Sequence, residues 1–237
     1  MKNFRSKIFD FKTDRRPVRE GSLLVSEPFL KEHFFKHAVI SLVDYGADTG
    51  AMGVVLNNRT ALTLDEVLEH VRPETKVPVY CGGPLSHDRL FFIHDLGSGL
   101  IPGAREYCDG LWIGGDFDDV IDYVNSGYSV DGHLRFFIGY AGWEKGQLQG
   151  ELDNDVWAVA DTPLVPSSSS SSTSATSTTT TTSPTSASTH PSSSHPSALT
   201  PRTLLALHGD ALWHAVVRTM GPAYHHWLLH PMSTHAN

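Results

Sequence analysis

Cysteine is nearly absent from the 237-residue chain, which holds only Cys81 and Cys108. Two cysteines cannot build a disulfide framework, and there is no CxxC pair of the kind that nucleates a zinc site. Long apolar runs are missing too: no stretch approaches the roughly 20 residues that span a bilayer. The opening MKNFRSKIFDFKTDRRPV is broken by charges throughout and has neither the apolar core nor the small-residue cleavage site of a secretory signal. Positive charge is scarce, at 18 Lys and Arg against 26 Asp and Glu, a net charge of -8. Affinity for a phosphate backbone comes mainly from Lys and Arg, so this balance argues against a protein that coats nucleic acid. These absences lead us to expect a cytoplasmic protein with no membrane association, no bound metal and no cofactor.

What is present falls into zones. Residues 1–19 carry seven Lys and Arg against Asp10 and Asp14 and read as a flexible basic arm. Residues 20–160 have the dense apolar pattern of a globular domain. Residues 161–203 are dominated by Ser, Thr and Pro, a composition that buries too little surface to offset its ordering entropy, so disorder is expected. Apolar periodicity returns in residues 204–237, expected to be helical and to complete the same domain. Because loop-closure cost grows slowly with length, the Ser/Thr tract reads as an insertion.

Eight short β-branched or aromatic runs bounded by Gly, Pro, Asn or Asp predict strands at 23–26, 38–45, 53–57, 77–81, 90–95, 111–115, 134–140 and 156–160. Two helices are well marked. In TLDEVLEHV, Thr63 and Glu66 have capping-box spacing, and Leu64, Val67, Leu68 and Val71 share a face. In DFDDVIDYVNSG, Asp116 suits a cap and Gly127 a stop. A third helix is predicted from about Ala211 to Met220, capped by Asp210. Strands and helices do not alternate regularly, so the expected class is α+β.

Four motifs carry the chemistry worth weighing. In GYAGWEKGQLQGE, Gly142 and Trp143 suit a packed corner, with Gln147 and Glu151 satisfying backbone donors or walling a binding cleft. Gly146 and Gly150 argue for a turn there, or one helical turn. Cys81 precedes Gly82-Gly83-Pro84, which reads as a tight turn; adjacent glycines can also aim N–H groups at an anion, but the phosphate-loop pattern is absent. Asn57 closes a strand, where it can make a local turn or orient a ligand. His94, followed by Asp95, could serve as a base if a substrate stood beside it. The 14 histidines include His33 and His37 four apart and a cluster in the tail, yet HExxH is absent and they read as incidental.

Taken in order, GSLLVSEPFLKEHFFKHAVISLVDY, GAMGVVLNNR, VYCGGPLSHDRLFFIH and GYAGWEKGQLQGELDNDVWAV resemble the AlgH/YqgE family of small bacterial proteins, and LWHAVVRTMGPAYHHWLLHPMSTHAN resembles that family's close. The resemblance covers residues 20–160 and about 204–237. It implies a compact fold with a bifurcated, partly barrel-like sheet flanked by helices, and no established enzyme activity. It also implies that Cys81 is no catalytic thiol, since the family does not rely on one before its GGP. Members are often labelled transcriptional regulators, but here no helix-turn-helix pair with a basic second helix appears and the body is acidic, so direct DNA reading is not expected. The expectation is a regulatory or binding protein with an unknown protein or small-molecule partner. The alternative is an enzyme with a cleft near Asn57, the GGP turn, His94 and Glu151, and a second alternative is a transcriptional regulator, which would depend on the basic arm.

Overall fold

The computed structural model describes residues 16–30, 32, 34–160 and 199–229. The basic arm up to residue 15, His33, nearly all of the Ser/Thr-rich tract and the last eight residues lie outside them, so the expectations made there have no structural counterpart.

Ten strands make one open sheet in the order β10-β1-β2-β3-β9-β6-β8-β7, with a side branch in which β4 pairs β5 and β5 pairs β9. They are β1 (Leu23–Ser26), β2 (Val39–Gly46), β3 (Gly50–Val55), β4 (Arg59–Thr63), β5 (Pro78–Cys81), β6 (Leu85–His94), β7 (Arg105–Cys108), β8 (Leu111–Ile113), β9 (Leu134–Trp143) and β10 (Trp157–Ala160). The helices are α1 (Leu64–Val67), α2 (Phe117–Asn125), α3 (Gln147–Asp153), α4 (Pro201–Ala206) and α5 (Gly209–Thr219), followed by a 3-10 helix over Pro222–Leu229. The class is α+β, as expected. The sheet is bifurcated but does not close into a barrel.

The largely apolar runs of β1, β10 and the first half of β2 reflect burial on both faces of the sheet. Side chains alternate between two cores. Leu23, Val25, Val39 and Val54 face α4, α5 and the 3-10 helix, where Trp213 is fully buried. Leu24, Ile40, Val55 and Val159 face the other way, toward Leu148 of α3. A third core lies at the far end, where Phe92 and Phe136 meet Val120 and Val124 of α2 and Leu64 of α1. Ala160 and Leu199, on either side of the Ser/Thr-rich tract, share one of these cores.

Some of the local signals hold in the fold and others do not. Asp116 caps α2, accepting from the N–H groups of Asp118 and Asp119, as its position predicts. The Thr63–Glu66 capping box is present, yet α1 stops at Val67 because Leu68 is already extended. Asp210 does not cap α5: His208 holds that position, and Asp210 sits in the first turn, hydrogen-bonded to His37. Strands β4 and β7 lack apolar alternation and are missed by pattern alone; β4 is almost wholly exposed.

Candidate functional site

The GGP and GYAG motifs meet at the fork of the sheet. Along β9, Phe136 to Ile138 pair in parallel with Val79 to Cys81 of β5, whereas Ala141 to Trp143 pair with Ala51 to Gly53 of β3. One edge of β9 thus changes partner across Gly139 and Tyr140. Gly82 makes the hand-over: its N–H donates to the Ile138 carbonyl, and its own carbonyl accepts from Val55 N. A Cβ on Gly82 would lie under 3.0 Å from the Gly139 carbonyl oxygen, and one on Gly83 under 3.0 Å from the Tyr140 backbone. Gly139, at φ +74°, meets the Gly83 carbonyl in the same way. The two backbones touch, which only glycine permits. The Gly82 N–H is therefore committed to the sheet and not presented to an anion. Pro84 is exposed beyond the turn, and a side chain on Gly142 would run into Leu85.

The stretch after the fork closes on one carboxylate. Glu151 Oε2 accepts from Trp143 Nε1 at 2.8 Å and from Trp157 Nε1 at 2.6 Å, while Oε1 accepts from Gln147 Nε2 at 3.0 Å. Gln147 Oε1 in turn accepts from Glu144 N. The indoles stand edge to face, centroids 6.3 Å apart. Here the expectation of a turn gives way to a two-turn helix. Helix α3 runs through Gly150, because Gln147 and Glu151 stack at i, i+4 and Leu148 is buried beneath. Charged acceptors make the stronger hydrogen bonds, and two indole donors on one oxygen fix both tryptophans at once.

Asn57 is buried and uses its whole amide. Its Oδ1 accepts from Val39 N at 2.9 Å; its Nδ2 donates to the carbonyls of His37 at 2.8 Å and Gly209 at 2.9 Å. The backbone adds Gly209 N to the Asn57 carbonyl. Asn57 therefore joins β2 to the start of α5. Beside it His37 stacks on Trp213 at 4.4 Å and bonds Asp210 at 3.0 Å.

His94 is fully buried. Its Nε2–H donates to the Gly114 carbonyl at 3.1 Å, and its Nδ1 accepts from Leu96 N at 3.3 Å. Those two bonds fix the neutral tautomer and use both nitrogens. Burial pushes the imidazole below its ordinary pKa, outweighing the Gly114 carbonyl and Asp95, which act the other way. Asp95 pairs instead with His133, whose Nδ1 lies 2.9 Å and 3.1 Å from its two oxygens. Cys81 Sγ lies 3.7 Å from the Gly83 carbonyl, and among the described residues no group of three His, Cys, Asp or Glu is placed to hold a metal.

The strand register separates these residues. His94 sits opposite Leu134, the GGP turn near Gly139, and Trp143 at the other end of β9. At a rise of about 3.3 Å per residue, His94 and Trp143 are roughly 30 Å apart along the strand. A charged group that sequence reading missed is Arg135, 3% exposed. Its Nη1 donates to the carbonyls of Leu56 at 2.6 Å and Leu207 at 3.1 Å, its Nη2 donates to the Leu205 carbonyl, and the guanidinium lies 4.2 Å over the Tyr80 ring. Burial pushes it down to about 10. The signal was a lone charge inside the apolar run LRFFIG, where an ordinary strand has none.

Comparison with known proteins agrees with this architecture. A UPF0301 protein of Parabacteroides distasonis is 31% identical over 218 residues, covering 92% of this chain and 91% of its own. One from Bacteroides thetaiotaomicron is 36% identical over 158 residues, 67% of this chain and 79% of its own. The solution structure of the AlgH protein from Pseudomonas aeruginosa matches with a TM-score of 0.57 at 23% identity, covering 94% of this chain and 99% of that one. A crystal structure of a Corynebacterium diphtheriae protein gives 0.51 at 22%, covering 66% and 82%. At these identities the two structures speak to the fold alone. The DUF179 family model, described as AlgH-like, matches residues 23–172, and the chain belongs to that AlgH-like family.

Proposed function

We propose that this protein is a non-enzymatic regulatory or binding protein of the cytoplasm, which acts on a protein or small-molecule partner without reading DNA directly. The observation that supports this most is the use made of its motif side chains. The polar atoms of Asn57, His94 and Glu151 hold strands and helices together, and the register keeps His94 far from the Glu151 corner. A general base or nucleophile needs a free lone pair beside a substrate position. The scarcity of cysteine suits a reducing compartment, and among the described residues no helix is long and apolar enough to cross a membrane.

A thermal-shift screen against nucleotides, central metabolites and divalent metals tests the reading. A ligand at a hundred times its Kd adds about 2.7 kcal/mol to the native state. Any hit is expected to bind without turnover, and E151Q is expected to lower stability while leaving that binding unchanged. Turnover of any hit that is lost in H94Q at unchanged Tm would overturn the proposal.

A further inference from the structure

A small cavity of about 80 Å³ opens beside Arg135. Its floor is formed by Arg135 and Tyr80, its wall by Leu205 of α4, and its rim by the exposed Thr75, Lys76 and Asp131. We infer that this cavity is a binding site for a small oxyanion, a carboxylate or a phosphate, held by the Arg135 guanidinium.

Burying a guanidinium costs several kcal/mol unless a counter-charge accompanies it, and proteins usually supply a carboxylate. Among the described residues no carboxylate reaches hydrogen-bond distance of Arg135; its acceptors are three carbonyls. Two of those carbonyls, Leu205 and Leu207, end α4, and their partial negative charge offsets only part of the cost. A guanidinium has five N–H groups. The three bonds leave one Nη2–H and the Nε–H without an acceptor among the described residues. Two donors without an acceptor on one guanidinium are what a carboxylate or phosphate can take up. Neighbouring charge is mixed. Arg59, cross-strand from Tyr80, acts on Arg135 as a like charge, and Asp131 as an opposite one. Lys76, which also pairs Asp65, adds positive charge at the mouth. The volume corresponds to two or three water molecules at about 30 Å³ each, enough for one oxyanion group but not for a whole nucleotide.

The site does not depend on whether the protein is an enzyme, so its failure and that of the binding reading are separate. The test is calorimetric titration of the full chain with inorganic phosphate or acetate, against chloride at matched ionic strength. Saturable binding of one anion per chain is expected with a Kd of about 1 mM or tighter. The anion that saturates at lower concentration identifies the ligand class. Changing Arg135 itself risks unfolding the protein, so the discriminating variants are on the rim. D131N is expected to tighten binding roughly threefold and K76M to weaken it roughly threefold, in line with exposed charge pairs. No saturation with either probe up to about 10 mM overturns the site. So does binding that neither variant alters, because that would be a diffuse ionic effect elsewhere on the surface.

Discussion

At Glu151 one side chain determines the geometry of two tryptophans. Removing its charge in E151Q weakens two indole hydrogen bonds, and a loss of about 2 kcal/mol is expected, since bonds to charged groups contribute more than neutral ones. E151A leaves both indole N–H groups without their acceptor and is expected to cost more, roughly 3 kcal/mol. Urea denaturation followed by tryptophan fluorescence reads both, and the native emission should shift because Trp143 and Trp157 are two of the five tryptophans. His94 gives a pH dependence of definite sign. Its folded pKa is depressed below the ordinary 6.5, so its contribution is fully present above 6.5 and is lost as pH falls from there toward the folded value. The Tm of the wild type should therefore decline more steeply than that of H94Q between about pH 6.5 and 5. Parallel curves would mean that other groups dominate the acid limb.

Besides the apolar cores, particular polar and backbone contacts join elements in this fold. Asn57 ties β2 to α5 by three side-chain bonds. N57A strands a buried N–H and two carbonyls and is expected to cost roughly 3 kcal/mol. Hydrogen exchange should rise first in α5, the helix that loses its anchor. At the fork, β5 and β9 are held at backbone contact. G83A would drive a methyl group into the Tyr140 peptide, so the variant is expected to accumulate as insoluble or strongly destabilised protein. A soluble G83A with wild-type Tm would mean that the fork can open without penalty.

On the scale of the whole molecule, the tail helices and the sheet share one core although the Ser/Thr-rich tract separates them in sequence. Ala160 packs in the same cluster as Leu199, Leu204 and Trp213. Closing a long loop between them costs little more than closing a short one, since the cost rises only by about 0.6 kcal/mol for each doubling of length. Replacing residues 165–194 by a short Gly/Ser linker is expected to stabilise the chain by about 1 kcal/mol, measured by urea denaturation. A marked loss of stability would mean that the tract itself packs on the body.

Membership of the α+β class, most strands, the capping of α2 and the family could be read from sequence, because these rest on local chemistry and on ordered motifs. The Asp116 cap needs only its own helix, and β1 and β10 are legible because burial on both faces leaves no polar interruption. The i, i+4 spacing of Gln147 and Glu151 puts them on one face only in a helix, and Gly146 and Gly150 argued for a turn, so the helix was not legible there. What only the tertiary structure decided is which side chains are spent on the fold. Nothing local says that the Gly82 N–H is taken by Ile138, that His94 has both nitrogens filled by Gly114 and Leu96, or that Asp95 turns to His133. Each of those bonds joins groups brought together by strand register or by a turn. Arg135 is the sharpest case. In sequence it is one charge inside an apolar run; in the fold it is a buried cation, because the carbonyls that hold it come from residues some 70 to 80 positions away.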